Sequence, residues 1–151
     1  MKIVLINPMI PQNTGSISRT CFALDLELHL IKPYGFELSA KYLKRCSVQH
    51  WDKVTVKEFE SWKNFLEREN PSRNNLCLFT EHGEKSFYEG DYSKDSYLIF
   101  GPESADFPRN LIAEFRERTF YLPMVNVDVR CLNLSNVVTA AAYQAFGKYG
   151  C

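Results

Sequence analysis

The feature that most restricts this chain is a near end-to-end alternation of short apolar runs with longer stretches of helical periodicity. Lys2 to Asn7 (KIVLIN) predicts a first strand, and Pro8 to Gly15 is loop chemistry. Ser16 to Leu26 carries Ile17, Cys21 and Leu24 at helical spacing, and Leu28 to Ile31 predicts a second strand ended by Pro33 and Gly35. Ser39 is placed to cap a helix running through Lys44 and Cys46, and Val54 to Val56 is a short strand candidate. Glu58 to Glu69 sets Phe59, Trp62, Phe65 and Leu66 on one helical face before Pro71. Leu76 to Thr80 and Tyr97 to Phe100 are unbroken apolar runs, as expected of strands covered on both faces. Pro108 to Phe115 starts a helix with proline near its N-terminus, Phe120 to Leu122 is a last strand, and Asn133 to Tyr149 closes the chain as a helix. This order implies an α/β fold, a mostly parallel sheet flanked by helices. With no internal repeat, low-complexity tract or linker, residues 1–151 read as a single domain.

Composition narrows the function classes. Eighteen Lys+Arg balance 18 Asp+Glu, which argues against binding nucleic acid by bulk charge alone. No apolar run approaches the ~20 residues of a membrane span, and Asn7 and Pro8 break the first apolar run too early for a signal peptide. The five cysteines are widely spaced, with no C-x-x-C pair and no Cys/His cluster, so neither a disulfide framework nor a metal site is expected. Reduced thiols in a cytoplasmic protein are the expectation, with Cys77 packed as a small hydrophobe.

In sheets of this type ligands bind beyond the carboxyl ends of the strands. That rule selects four loops, Asn7–Gly15, Thr80–Gly83, Gly101–Pro108 and Pro123–Asn133. The first has one glycine where a dinucleotide fingerprint has three, and there is no P-loop. Asn13, Thr14 and Ser16 can cap the following helix; Arg19, one turn in, is disfavoured there by the macrodipole and is expected to reach the sheet's carboxyl edge. Gly101 permits close approach of backbone to a ligand, while Glu103 reads equally as a substrate carboxylate or a cap for the helix near Pro108. Asn133, Ser135 and Asn136 exceed what one N-cap requires, so the surplus predicts hydrogen bonds to something besides the helix backbone. His29 lies in an apolar strand and reads as packed or edge-exposed. His50 with Trp51 reads as a surface aromatic pair or a nucleobase contact.

Three segments, NTGSISRTCFAL at 13–24, LIFGPES at 98–104 and LPMVNVDVRCLNLSNVVTAAAYQAF at 122–146, together resemble the SPOUT superfamily of knotted RNA methyltransferases. The likeness covers essentially the whole chain. The part through Lys32-Pro33-Tyr34-Gly35-Phe36 and Leu43-Lys44-Arg45 is similar to the minimal single-domain branch that 2′-O-methylates the wobble cytidine or uridine of tRNA. The resemblance implies a C-terminal trefoil knot, a homodimer, S-adenosyl-L-methionine as methyl donor, tRNA as substrate and no metal. By motif position it implies cofactor contacts at Phe79, Gly101, Leu122, Cys131 and Leu132, and a catalytic set of Arg19, Glu103, Asn133 and Ser135, with Asn136 and Tyr143 adjoining. Ser104-Ala105-Asp106-Phe107-Pro108 departs from the Arg-Gly or Lys-Gly and Leu-Pro common in such chains, and Cys131-Leu132 stands where Ser and Met are frequent.

Rival readings are the same fold acting on another tRNA or rRNA position, a catalytically silent RNA-binding dimer, and a flavodoxin-like nucleotide binder that leaves the third segment unexplained. The charge is unevenly spread. Residues 1–75 hold 11 basic against 8 acidic residues, and residues 76–151 hold 7 against 10. Lys32, Lys41, Lys44, Arg45 and Lys53 make the candidate RNA-facing patch, or an ordinary solvated face.

Overall fold

The uninterrupted apolar runs become the middle of a seven-stranded, all-parallel sheet. The protein is represented by a computed structural model describing residues 1–36, 51–105, 107–126, 128–129 and 131–150. The helix expected from Ser39 and the basic residues Lys41, Lys44 and Arg45 lie outside the described residues, as does His50. The strands are β1 (Lys2–Ile6), β2 (Glu27–Ile31), β3 (Val56–Phe59), β4 (Leu76–Phe79), β5 (Lys85–Ser86), β6 (Tyr97–Phe100) and β7 (Thr119–Tyr121). Their order across the sheet is β3-β2-β1-β6-β4-β7-β5, so the chain builds outward from β1 on one side and then returns to fill the other. Every observed pairing is parallel.

Side chains alternate between two cores because successive strand residues point to opposite faces. On one face Ile3, Leu5, Leu28, Leu30, Cys77, Leu98 and Phe100 are covered by helix α1 (Pro11–Ala23) and by a long helix at the end of the chain (Leu134–Tyr149). On the other, Val4, Ile6, Ile31, Phe59, Leu76, Leu78 and Ile99 are covered by α2 (Trp62–Glu69) and α3 (Arg109–Glu114). The closing helix, α4 (Leu134–Tyr149), buries Val138, Ala141, Ala142 and Ala145. These small residues let it lie close to α1, where the hydroxyls of Thr20 and Thr139 meet at 2.8 Å. Cys21 and Cys77 are buried in this layer, and burial pushes the Cys77 thiol up to about 11.

Three elements differ from the sequence reading. Helix α1 begins at Pro11 rather than Ser16, because a proline that looks like loop punctuation is well tolerated in a first helical turn. Glu58 and Phe59 belong to β3, with Phe59 paired to Ile31 and fully buried. The helix after them starts only at Trp62, capped by Ser61, whose hydroxyl accepts the Asn64 N–H. Strand β5 is two polar residues long and carries no apolar signal to read. Trp51 is half-buried and packs against the first core.

His29, in β2, is fully buried among the rings of Phe59, Phe65 and Tyr97. Its Nε2–H donates to Glu27 Oε2 at 3.0 Å, and its Nδ1 has no partner among the described residues. Desolvation holds the imidazole below its ordinary value, with Glu27 opposing the shift. A depressed folded-state value means that the unfolded chain takes up a proton the native protein refuses. Stability is therefore full above about pH 6.5 and is lost as pH falls below it. Urea denaturation is expected to show a midpoint falling from pH 7.5 to pH 5, with a shallower dependence in His29→Gln. An unchanged pH dependence in that variant would contradict this role.

Candidate functional site

The carboxyl ends of β4, β6 and β7 each deliver an aromatic ring to the same place. Register sets Phe79 beside Phe100 on one side and Phe120 on the other. The Phe79 and Phe100 rings stack at 4.8 Å between centroids, and Phe79 and Phe120 lie 5.9 Å apart. Above this floor is an open cavity of about 350 Å³, within the size range of small-molecule sites.

All four loops selected from the sequence contribute to its wall. The first supplies Ile10 and Asn13; the second, Thr80 and Glu81; the third, Gly101, Pro102, Glu103 and Ala105; the fourth, Met124, Cys131, Leu132 and Asn133. The turn after β4 is pinned to the sheet: Thr80 N–H donates to Phe120 O at 2.9 Å, and Gly83 N–H returns to Thr80 O at 3.2 Å. A Cβ on Gly83 would sit 2.4 Å from the Phe120 carbonyl carbon, so only glycine permits that approach. At Gly101 a Cβ would meet the Phe107 ring at 3.2 Å, which shows how closely the altered Ser104–Pro108 segment folds back on the strand end.

Hydrogen bonds lock these loops together. Glu103 accepts from the backbone N–H of Met9 at 2.7 Å, from that of Ile10 at 3.1 Å, and from Asn13 Nδ2 at 3.1 Å. Asn133 Nδ2 donates to Asn13 Oδ1 at 3.0 Å, while Asn133 Oδ1 accepts from the Ser135 N–H at 2.9 Å and the Ser135 hydroxyl at 2.6 Å. The result is one chain of donors directed from Ser135 through Asn133 and Asn13 to the Glu103 carboxylate.

Of the residues expected at the cofactor, Phe79, Gly101, Leu122, Cys131 and Leu132 all line the cavity. Glu103 and Asn133 line it too, and Ser135 is buried immediately behind. Glu103 caps neither the helix near Pro108 nor any group of α3; its oxygens secure the entry to α1. The surplus polarity at 133–136 is partly accounted for. Asn133 is the N-cap of α4 and also bonds Asn13, whereas Asn136 is exposed. Arg19 is on the exposed side of α1 and is not part of the cavity wall. Tyr143 is also exposed, on α4.

Reasoning from sequence did not single out Phe100, Phe120, Leu134, Val137 or Glu81, and treated Asn13 only as a cap. A usable signal existed: LCLF and YLIF both end in phenylalanine, directly before a selected loop. Among the described residues no group of three or more His, Cys, Asp or Glu is arranged to hold a metal ion. No helix among the described residues is long and apolar enough to cross a membrane. A second hollow of about 400 Å³, beyond the ends of β1 and β2, is lined by Asn7, Lys32, Trp62 and Asn110 among others and contains none of the residues expected at the cofactor or in catalysis.

The chain matches the SpoU rRNA Methylase family over residues 1–143. A Lactococcus lactis subsp. cremoris protein, provisionally named tRNA (cytidine(34)-2′-O)-methyltransferase, is 38% identical over 146 residues, 95% of this chain and 86% of its own. A solved structure reported for insight into 2-OH methylation of C/U34 on tRNA superposes with a TM-score of 0.87 at 40% identity, covering 97% of this chain and 94% of that one. The SpoU methyltransferase AviRb from Streptomyces viridochromogenes, solved in complex with AdoMet, has a TM-score of 0.79 at 23% identity. It covers 98% of this chain and 60% of its own, and speaks to the fold alone.

Asn13 bonds both Glu103 and Asn133. Asn13→Ala is expected to lower unfolding free energy by about 1–3 kcal/mol, measured in urea, because it strands two polar partners. Amide exchange should quicken at 9–13 and 101–105. Exchange indistinguishable from wild type would show that the chain of bonds does not hold the loops.

Proposed function

The chain belongs to the SpoU rRNA methylase family, and from that premise we propose that it is a tRNA ribose 2′-O-methyltransferase. It uses S-adenosylmethionine and acts on the wobble nucleotide, cytidine or uridine 34. The observation that carries this reading is the convergence of all five expected cofactor positions and of Glu103 and Asn133 on one cavity beyond β4, β6 and β7. The homodimer and the trefoil knot implied by the resemblance, and a cytoplasmic location, belong to the same proposal.

The cavity fits an adenosyl group. Its floor is the aromatic row Phe79, Phe100 and Phe120, with Leu122, Leu134 and Val137 beside it, while loop backbone at Thr80, Gly101, Leu122 and Leu132 supplies donors and acceptors for a base edge and a ribose. When bound, S-adenosylmethionine supplies an electrophilic methyl carried on a cationic sulfur. The residues of this chain have three tasks. Glu103, Asn13, Asn133 and Ser135 fix the loops that aim the methyl group, and orientation of two reactants can be worth ~7–11 kcal/mol in favourable cases. Arg19, exposed on α1, meets the RNA rather than the cofactor pocket of its own chain. There its guanidinium orients the 2′-hydroxyl or a neighbouring phosphate and stabilises the alkoxide character that develops as the hydroxyl proton leaves. The hydroxyl proton must leave as the attack proceeds, and a guanidinium offers five N–H donors and no acceptor, so we assign Arg19 to orientation and charge. Lys32, paired with Glu60 at 2.7 Å, and Lys53, over the Phe22 ring at 5.9 Å, are the described members of the proposed RNA-facing patch.

Mass spectrometry of nucleosides from unmodified tRNAs incubated with protein and S-adenosylmethionine tests the proposal. The expected product is 2′-O-methylcytidine or 2′-O-methyluridine at position 34. Arg19→Ala is expected to lower turnover at least a hundredfold while binding S-adenosylhomocysteine as wild type does. A methyl group at another position would overturn the substrate, and full turnover in Arg19→Ala would overturn its role.

A further inference from the structure

The described part of the cavity wall carries an unbalanced charge. Among the described lining residues there are two carboxylates, Glu81 and Glu103, and no lysine or arginine. The two differ in circumstance. Both Glu103 oxygens are occupied, by two backbone N–H groups and the Asn13 amide. Glu81 makes no hydrogen bond or ion pair with a described residue, although it stands on the tightly fixed turn after β4. There Thr80 N–H holds Phe120 O, and Gly83 lies against the β7 backbone too closely for any Cβ. Among the described residues, nothing engages the carboxylate that this rigid turn presents at the cavity mouth.

We infer that Glu81 is a specificity-determining residue that makes this site prefer the cationic methyl donor to its neutral product. The inference rests on the cofactor reading above. Methyl transfer breaks the carbon–sulfur bond, leaves the electron pair on sulfur, forms the carbon–oxygen bond and releases the hydroxyl proton. The bound cofactor thus loses one positive charge, while its amino-acid zwitterion and adenosine stay the same. A fixed negative charge at the wall therefore favours the reactant and not the product, so that fresh methyl donor outcompetes the spent one. A fixed unit charge across a partly hydrated mouth is worth roughly a three- to fivefold difference in affinity. A hydrogen bond from the ribose or adenine to the same side chain would instead affect both compounds alike, so the ratio of the two affinities isolates the charge.

Isothermal titration of S-adenosylmethionine and S-adenosylhomocysteine into wild type, Glu81→Gln and Glu81→Lys tests this, with thermal melts confirming that the exposed turn still folds. Glu81→Gln should weaken S-adenosylmethionine about three- to fivefold and leave S-adenosylhomocysteine within twofold. Glu81→Lys should enlarge that difference, and added salt should shrink the wild-type preference. Sinefungin, whose amine carries the charge in place of the sulfonium, should follow S-adenosylmethionine. If wild type binds both compounds and Glu81→Gln leaves their ratio unmoved, the inference falls and the functional reading stands. If wild type binds neither, both fall together.

Discussion

The arrangement at the strand ends depends on one carboxylate. Glu103 reaches across ninety or more residues of sequence to take the N–H groups of Met9 and Ile10 and the amide of Asn13. Two of those donors lie just before the first turn of α1, where backbone N–H groups lack helical partners and an anion is favoured. The same contact welds the loop after β1 to the loop after β6, on either side of the place where strand order turns back on itself. Asn13 and Asn133 carry the connection onward to α4, so three segments remote in sequence share one rigid rim. A charge at this point thus organises the site before it is asked to do any chemistry.

That rim explains how a nucleoside cofactor can be accommodated without a glycine fingerprint. A G-x-G-x-x-G turn exists to bring backbone against a pyrophosphate at a helix N-terminus. Here the entry to α1 is already occupied by Glu103, and an adenosyl group with no phosphate makes no demand on it. The cavity instead lies further along the sheet, over Phe79, Phe100 and Phe120, where loop backbone can read a base edge. Gly101 and Gly83 serve a different purpose from phosphate glycines, since each lets a loop fold back against its own sheet.

The sheet, its two covering helix layers and the four ligand loops were legible because strands buried on both faces must be continuously apolar and flanking helices must show a stripe. The strand ends were less so. Phe59 fits a helical face with Trp62 and Phe65 as well as it fits a strand, and only its pairing with Ile31 decides between them. Pro11 reads as loop until the helix it opens is seen. Within the site, residue type located Gly101, Glu103 and Asn133, but could not say that Glu103 bonds Asn13, because that contact is made across the sheet. The family resemblance supplied the cofactor positions, which periodicity could not. Glu81 escaped both, being an exposed polar residue in a short turn whose place at the cavity only the folded chain reveals.

The account's central claim is that this one cavity, held by Glu103 and Asn13 and floored by three phenylalanines, is where the cofactor binds. Amide chemical shifts in a ¹⁵N-labelled sample titrated with S-adenosylhomocysteine test it most directly. The account predicts that the largest shifts fall on Thr80, Gly101, Leu122 and Leu132, with smaller ones at Ile10 and Asn13. Shifts centred instead on Asn7, Lys32 and Trp62, around the second hollow, or no shifts at saturating ligand, would contradict it.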